Sequence, residues 1–317
     1  MLVDIVLLVI GFIVLVKGAD WFVDAASALA QNFNLSKILI ALTIVAFGTS
    51  APEFAVSIKS SIVGSGDIVL GNVIGSNILN VLLILGTCGC IHTLNVKNAT
   101  VKKELPIVIL LSTLLVVLMS DVLLSGAKVN SITRSDGISI LLFFSVFIYY
   151  LISTMRNKVD EEDDEKPKYG VVKSIIFTVI GIVCLVLGSN AVVDSASSIA
   201  KVLGVSERMI SLTIIALGTS LPELVTSVIA TKKGEYDIAI GNVVGSNIFN
   251  IGIVLGLPLV IFGGIPSFTI NIIDLIALII SALLLFLFSF KDYKINRKEG
   301  IIFLLVFIVY YSFVIIG

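Results

Sequence analysis

The chain has 317 residues, 57% of them hydrophobic and only 14% charged, with a mean hydropathy of +1.13. A water-soluble domain carries roughly 25% charged residues, so this composition excludes one. A net charge of −1 likewise offers nothing to a nucleic acid.

Apolar runs long enough to cross a bilayer, about 20 residues each, recur ten times, near 2–19, 38–62, 69–91, 105–124, 137–155, 171–193, 209–231, 238–262, 270–290 and 300–316. They predict an all-α membrane protein of ten transmembrane helices. The first run ends near Ala28-Leu29-Ala30, which mimics a signal-peptide cleavage site. Its start, however, holds Asp4 and no basic residue, and its later part recurs at 181–200, so it is a retained helix. The one hydrophilic stretch runs from Arg156 to Lys168 and contains the acids Asp160 to Glu165. Cys88, Cys90 and Cys184 lie in apolar surroundings, and Cys88, Cys90 and His92 lack the fourth ligand of a zinc site.

The chain repeats itself. GTSAPEFAVS at 48–57 returns as GTSLPELVTS at 218–227, and GNVIGSNILN at 71–80 returns as GNVVGSNIFN at 241–250. The offset is 170 in both cases, and it gives 34 identities over the 76 positions from 11–86. Each copy owns five of the ten predicted helices, an odd number, so the second must enter the membrane from the opposite side. The predicted organisation is a first five-helix repeat at 1–155, a short acidic loop at 156–170 and an inverted second repeat at 171–317.

Basic residues test this count. Loops and helix ends after helices 1, 3, 5, 7 and 9 hold sixteen Lys and Arg, and the other side holds five. The positive-inside rule then places the 156–170 loop in the cytoplasm and both termini outside.

A carboxylate in the middle of an apolar span costs several kcal/mol and is by default functional. Glu53 and Glu223 are the two acids well inside predicted spans, at equivalent places. Gly48 and Pro52, with Gly218 and Pro222, predict that helices 2 and 7 break beside them. Proline frees the carbonyl four residues back, and a free carbonyl at membrane depth needs a polar partner, which a cation would supply. Thr49 and Ser50 share a helical face with Glu53. Asn72, Ser76 and Asn80 recur every four residues on the next helix, and Asn242, Ser246 and Asn250 repeat them. This donor set is all oxygen, which suits a hard cation such as Ca²⁺ and not Zn²⁺ or Cu⁺. Gly71, Gly75, Gly241 and Gly245 form small-xxx-small patterns expected to let helices approach closely.

Gly64-Ser65-Gly66-Asp67 and Tyr236-Asp237 together mimic an intramembrane aspartyl protease. Asp67 and Asp237 are equivalent repeat positions, so inversion places them on opposite faces, and N-capping is the expected role.

At the doubled motifs the sequence resembles the cation/Ca²⁺ exchanger superfamily, prokaryotic sodium/calcium exchangers in particular. Its members carry two inverted repeats with G-T-S-x-P-E followed by G-N-x-x-G-S-N. The resemblance spans nearly the whole chain and implies ten helices, with helices 2, 3, 7 and 8 around the ions. It implies calcium ligands in the carboxylates of Glu53 and Glu223 and the carbonyls of Thr49 and Thr219. Sodium sites would add Ser50, Ser76, Ser220 and Ser246 and the carbonyls of Ala46 and Ala216, with Asn80 and Asn250 completing the centre. Some members, notably potassium-dependent ones, have aspartate at the place of Asn80 or Asn250; both are amides here. The 156–170 loop is too short for the calcium-sensing domains of animal exchangers.

The resulting expectation is a non-enzymatic antiporter in a prokaryotic plasma membrane, exchanging Ca²⁺ for Na⁺ and electrogenic. Its partners are the two ions and the bilayer, without cofactor or protein partner. Ca²⁺/H⁺ antiport on the same scaffold is the alternative, and a cation channel a more distant one.

Overall fold

The computed structural model describes residues 1–156, 167–205, 210–269 and 271–316. Most of the acidic loop expected at 156–170 lies outside the described residues.

The described chain is helical almost throughout. The long helices are α1 (Leu2–Asn32), α4 (Gly66–Ile91), α7 (Arg134–Arg156), α8 (Val171–Val202), α11 (Tyr236–Phe262), α12 (Ile272–Asp292) and α13 (Arg297–Ile316). These seven are long and apolar enough to span a membrane. Two bent pairs add a broken span each, α2 (Lys37–Thr49) with α3 (Ala51–Ile62) and α9 (Thr213–Thr219) with α10 (Leu221–Lys232). A further apolar helix, α5 (Leu105–Leu118), is entered through a π turn at Thr100–Glu104, and α6 (Asp121–Ser125) is a single short turn. Leucines and isoleucines stand exposed along α1, α7, α8, α12 and α13, as lipid contact requires. The sequence Ala28-Leu29-Ala30 is buried inside α1.

The two breaks occur where the Gly/Pro pattern places them. The bends are 47° and 57°, and the hinge residues Ser50 and Ser220 leave the helical region with ψ of 9° and 8°. Pro52 and Pro222 then sit in the first turn of the following half-helix, where a missing N–H costs nothing. Four π-helical segments form repeat-related pairs: Ala41–Val45 and Ser211–Ile215 precede the breaks, and Asn80–Leu85 and Asn250–Leu255 lie within α4 and α11. Such segments loosen the helical ladder and gather at functional sites.

The helices α1 and α8 pack backbone to backbone. A Cβ on Gly18 would fall 2.5 Å from Cys184 Cβ, and one on Gly188 2.8 Å from Leu15 N. Gly11 meets Ala191 and Val192, while Gly181 meets Phe22. Partner numbers fall as the helix number rises, so the two helices run antiparallel.

Two small two-stranded sheets join distant loops. Leu94–Asn95 (β1) pairs antiparallel with Lys294–Ile295 (β4), and Asn130–Thr133 (β2) with Gly264–Phe268 (β3). Each pair links a loop of the first half to one of the second, and the pairing is crossed: Leu94 of β1 corresponds in the repeat to Gly264 of β3, not to its partner β4.

The packing expected at the four small-xxx-small glycines holds at only two of them. Added Cβ atoms on Gly241 and Gly245 would meet Ala41 Cβ at 2.5 Å and Ala46 Cβ at 2.7 Å, so α11 lies hard against α2. Nothing stands within 4 Å of a Cβ on Gly71 or Gly75. The reason is that α9, the equivalent of α2, has not closed on α4: Ala46 and Thr49 are buried, whereas Ala216 is exposed and Thr219 half-buried. The molecule is shut along α2–α11 and open along α9–α4.

Candidate ion-binding site

The half-helices α3 and α10 each begin one residue after a kink, which sets their first-turn glutamates beside the partner's hinge. Ser50 donates to Glu223 Oε1 at 3.0 Å, and Ser220 donates to Glu53 Oε1 at 3.2 Å. Each broken helix thus lends a hydroxyl to the carboxylate of the other. The two glutamates are 1% and 0% exposed. Among the described residues no basic side chain forms an ion pair with either.

The adjoining helices α4 and α11 fix the start of each half-helix. Asn72 Nδ2 donates to the carbonyl of Glu53 at 3.0 Å and to Ser57 Oγ at 3.1 Å. Asn242 Nδ2 repeats this with the carbonyl of Glu223 at 3.4 Å and Ser227 Oγ at 3.0 Å. On the closed side, Thr49 also donates to Asn242 Oδ1 at 2.9 Å and lies 3.5 Å from Ser246 Oγ.

Asn80 and Asn250 are each tied to the opposite repeat. Asn250 Nδ2 donates to Ser76 Oγ at 3.0 Å and to Asn77 Oδ1 at 3.1 Å, and Asn80 Nδ2 donates to Asn247 Oδ1 at 3.0 Å. What remains is informative. Glu53 Oε2, Glu223 Oε2, Asn80 Oδ1 and Asn250 Oδ1 are buried oxygens without any hydrogen-bond partner. A buried acceptor left unpaired costs about 1–3 kcal/mol, and more when charged. Four such oxygens, drawn in equivalent pairs from two repeats with no ammonium or guanidinium among the described residues paired to the carboxylates, are a donor set that can hold a hard cation.

Of the residues singled out in the sequence, Glu53, Glu223, Ser50, Ser220, Ser76, Asn80 and Asn250 are tied together by these bonds, with Thr49 and Ser246 joined on the closed side. Ala216 and Thr219 stand on the open side, where Ala216 is exposed and the half-buried Thr219 hydrogen-bonds Glu53 through its side chain. The Ala46 carbonyl accepts the Ser50 N–H at 3.0 Å. Sequence reasoning passed over Ser57, Ser227, Asn77 and Asn247. The asparagines repeat in both G-S-N triplets, a usable signal, but they fall off the every-fourth stripe.

Two expectations need correction. The Gly218 carbonyl, freed by Pro222, is not left for a cation, because Ser189 of α8 donates to it at 2.7 Å. Asp67 and Asp237 are not N-caps: Ser65 and Glu235 occupy those positions, without side-chain capping bonds. Instead the Asp67 carboxylate accepts from Thr269 N at 3.4 Å and that of Asp237 pairs with Lys97 at 2.8 Å, so the two acids serve different partners. The His92 ring lies tilted to that of Tyr236, at 6.4 Å between centroids, and Cys88 is buried.

Comparison with known proteins agrees with this architecture. The profile of the family described as sodium/calcium exchanger protein matches residues 3–153 and 173–316. The sodium/calcium exchanger MaX1 of Methanosarcina acetivorans is 32% identical over 97% of this chain and 97% of its own length. The inner membrane protein YrbG of Escherichia coli is 37% identical over 83% of this chain and 82% of its own. The solved structure of the sodium-calcium exchanger NCX_Mj soaked with 10 mM Na⁺ superposes with a TM-score of 0.84 at 32% identity, covering 98% of both chains. The chain belongs to the sodium/calcium exchanger protein family.

Proposed function

We propose that this protein is a secondary antiporter that exchanges Ca²⁺ for Na⁺ across a membrane by alternating access. One observation carries the reading: the four unpartnered buried oxygens of Glu53, Glu223, Asn80 and Asn250. The transported ions are cargo. Ca²⁺ is held by the two carboxylates, with the Thr49 and Thr219 carbonyls beside them. Na⁺ competes for the same carboxylates and adds the hydroxyls of Ser50, Ser76, Ser220 and Ser246, the Ala46 and Ala216 carbonyls, and the Asn80 and Asn250 amides.

The frame is ten membrane spans in two inverted five-helix repeats, 1–155 and 171–317. The antiparallel packing of α1 on α8 supports inversion. So do the strand pairs, since β1 and β4 follow spans three and nine and β2 and β3 follow spans four and eight, putting each pair on one face. The sixteen-to-five distribution of basic residues makes the face of β1 and β4 cytoplasmic.

Inversion turns the difference between the two glycine faces into a transport cycle. With Gly241 and Gly245 packed and Gly71 and Gly75 bare, the centre is sealed from the cytoplasmic side and reachable from the outer one. The opposite state exchanges the roles: α9 closes on α4 and α2 leaves α11. An ion exchanged between those states crosses the membrane without a continuous pore, which separates this reading from a channel.

The test is ⁴⁵Ca²⁺ uptake into proteoliposomes loaded with Na⁺, K⁺ or a proton gradient. Uptake driven by internal Na⁺ alone supports the reading. Uptake that follows the proton gradient without Na⁺ replaces it with Ca²⁺/H⁺ antiport, and uptake insensitive to any trans ion replaces it with a channel.

A further inference from the structure

We infer that Asn77 and Asn247 are positioning residues that lock the amides of Asn80 and Asn250 with their oxygens turned toward the cation. This deepens the exchange reading and rests on it. The two ends of a primary amide are nearly the same size, one an acceptor and the other a double donor. An asparagine beside a cation therefore works only if something prevents it from turning its NH₂ inward.

The bonds around the repeat interface supply that constraint. Asn77 Nδ2 donates to the main-chain carbonyl of Asn247 at 3.3 Å, and Asn247 Nδ2 donates to that of Asn77 at 3.3 Å. A carbonyl can only accept, so both amides are fixed with nitrogen toward the opposite helix. Their oxygens then point the other way, and an amide oxygen also only accepts. Asn80 must offer Nδ2 to Asn247 Oδ1, at 3.0 Å, and Asn250 must offer Nδ2 to Asn77 Oδ1, at 3.1 Å. The Oδ1 atoms of Asn80 and Asn250 are left on the side of each amide away from these bonds, buried and unpartnered. Orientation is thus passed from backbone to outer amide to inner amide, once in each direction across the interface. All four asparagines are at most 3% exposed, so water does not compete for these bonds.

A double-mutant cycle on the full-length protein in proteoliposomes tests this. Asn247→Ala frees the Asn80 amide to turn, and the half-saturating Na⁺ for Ca²⁺ uptake should rise about tenfold, the loss of roughly one buried hydrogen bond. In the Asn80→Asp background the same change should have no effect, or improve binding. A carboxylate presents oxygen whichever way it is turned, and its clash with Asn247 Oδ1 is relieved. Asn77→Ala against Asn250→Asp gives the mirror cycle, with a smaller effect because Ser76 Oγ also accepts from Asn250 Nδ2, and it stands in if Asn247→Ala fails to elute as a monodisperse protein. Equal effects of the alanine change in both backgrounds would mean that these asparagines act through packing alone, and would overturn the inference while leaving the exchange reading intact. Wild-type protein that exchanges no Ca²⁺ for Na⁺ would remove both.

Discussion

Ser50 donates its hydroxyl to Oε1 of Glu223 across 3.0 Å, joining the hinge of one broken helix to the carboxylate of the other. With its counterpart from Ser220 to Glu53, this bond makes the site a property of both repeats together. Neither half of the chain contains it alone. Glu53→Gln or Glu223→Gln removes one formal charge at nearly constant size, so each alone should abolish Ca²⁺ transport. Both variants should still insert, as judged by their yield in the membrane fraction. Normal ⁴⁵Ca²⁺ uptake by either would remove the carboxylates from the site. Ser50→Ala deletes only a donor to a charged group, about 1.5 kcal/mol, and should raise half-saturating Ca²⁺ roughly tenfold. Asp67→Asn, outside the cluster, should leave uptake close to normal.

The glycine faces predict opposite effects for equivalent substitutions. Gly245→Val drives a side chain into Ala46 Cβ, Leu42 Cα and the Leu42 carbonyl, all within 3.1 Å of the position of a first methyl. Overpacking of this kind costs about 1–3 kcal/mol, charged here against the closed contact of α2 with α11. Cysteines along α2 should become accessible from the β1–β4 face. A Cβ on Gly75 meets nothing within 4 Å in this state, so Gly75→Val should trap it, leaving ion binding intact and slowing turnover. Identical labelling patterns for the two variants would contradict the reciprocal-closure cycle.

A set of ion pairs reinforces the closed face. Lys233 contacts Asp20 at 2.7 Å and Asp24 at 2.6 Å, Lys168 also pairs with Asp24, and Lys37 pairs with Glu235 at 3.1 Å. The equivalents of Lys233 and Asp20 in the other repeat are Val63 and Asn190, so the opposite face has no copy of this contact. Partly exposed pairs contribute up to about 1 kcal/mol each. Lys233→Gln should therefore raise opening of this face severalfold, and 0.5 M salt should mimic it in the wild type because exposed pairs are screened. Unchanged accessibility in both would leave the face closed by packing alone.

Orientation is checked separately. A cysteine replacing Leu123, which is 77% exposed, should react with an impermeant maleimide in intact cells. Cysteines replacing Glu162 or Lys298 should react only after lysis. The reverse pattern would invert the assignment and exchange the inner and outer faces throughout.

Much of this was legible in the sequence because two physical signals were written twice. Apolar length gave the helices, and a polar stripe beside a Gly/Pro break gave Glu53, Glu223 and their neighbours. The boundaries were less readable: α1 continues to Asn32 and α8 to Val202, because small residues such as Ala25, Ala26 and Ala30 are buried against other helices and continue the helix without continuing a lipid-facing pattern. The π segments left no mark either, since a single extra residue per turn has no composition. Asn77 and Asn247 were missed for a related reason. They act across the repeat interface, at right angles to the stripe that a single helix reveals. Ser189 could not be foreseen from the repeat, whose other copy has Ala19. State is the deepest gap. Two copies with the same motif predict equal packing, and only coordinates distinguish Gly245 from Gly75.

The charge carried per cycle follows from the same residues. Ionised, Glu53 and Glu223 supply −2, which one Ca²⁺ neutralises. Family resemblance suggests three Na⁺ in return, and the hydroxyls of Ser50, Ser76, Ser220 and Ser246 offer positions beyond the two carboxylates. Asn80 and Asn250 are neutral amides, and their buried, unpartnered oxygens add no charge. The loaded sodium state should therefore carry one net positive charge more than the calcium state. Each charge crossing the membrane couples to its potential by about 2.3 kcal/mol per 100 mV. In Na⁺-loaded vesicles an inside-positive potential should speed Ca²⁺ uptake and an inside-negative one should slow it. Asn250→Asp adds a third carboxylate, and if that group is ionised the surplus is cancelled and the voltage dependence should flatten. Wild-type uptake indifferent to a clamped potential would rule out the three-to-one exchange and favour two Na⁺ per Ca²⁺, with the amides serving no third ion.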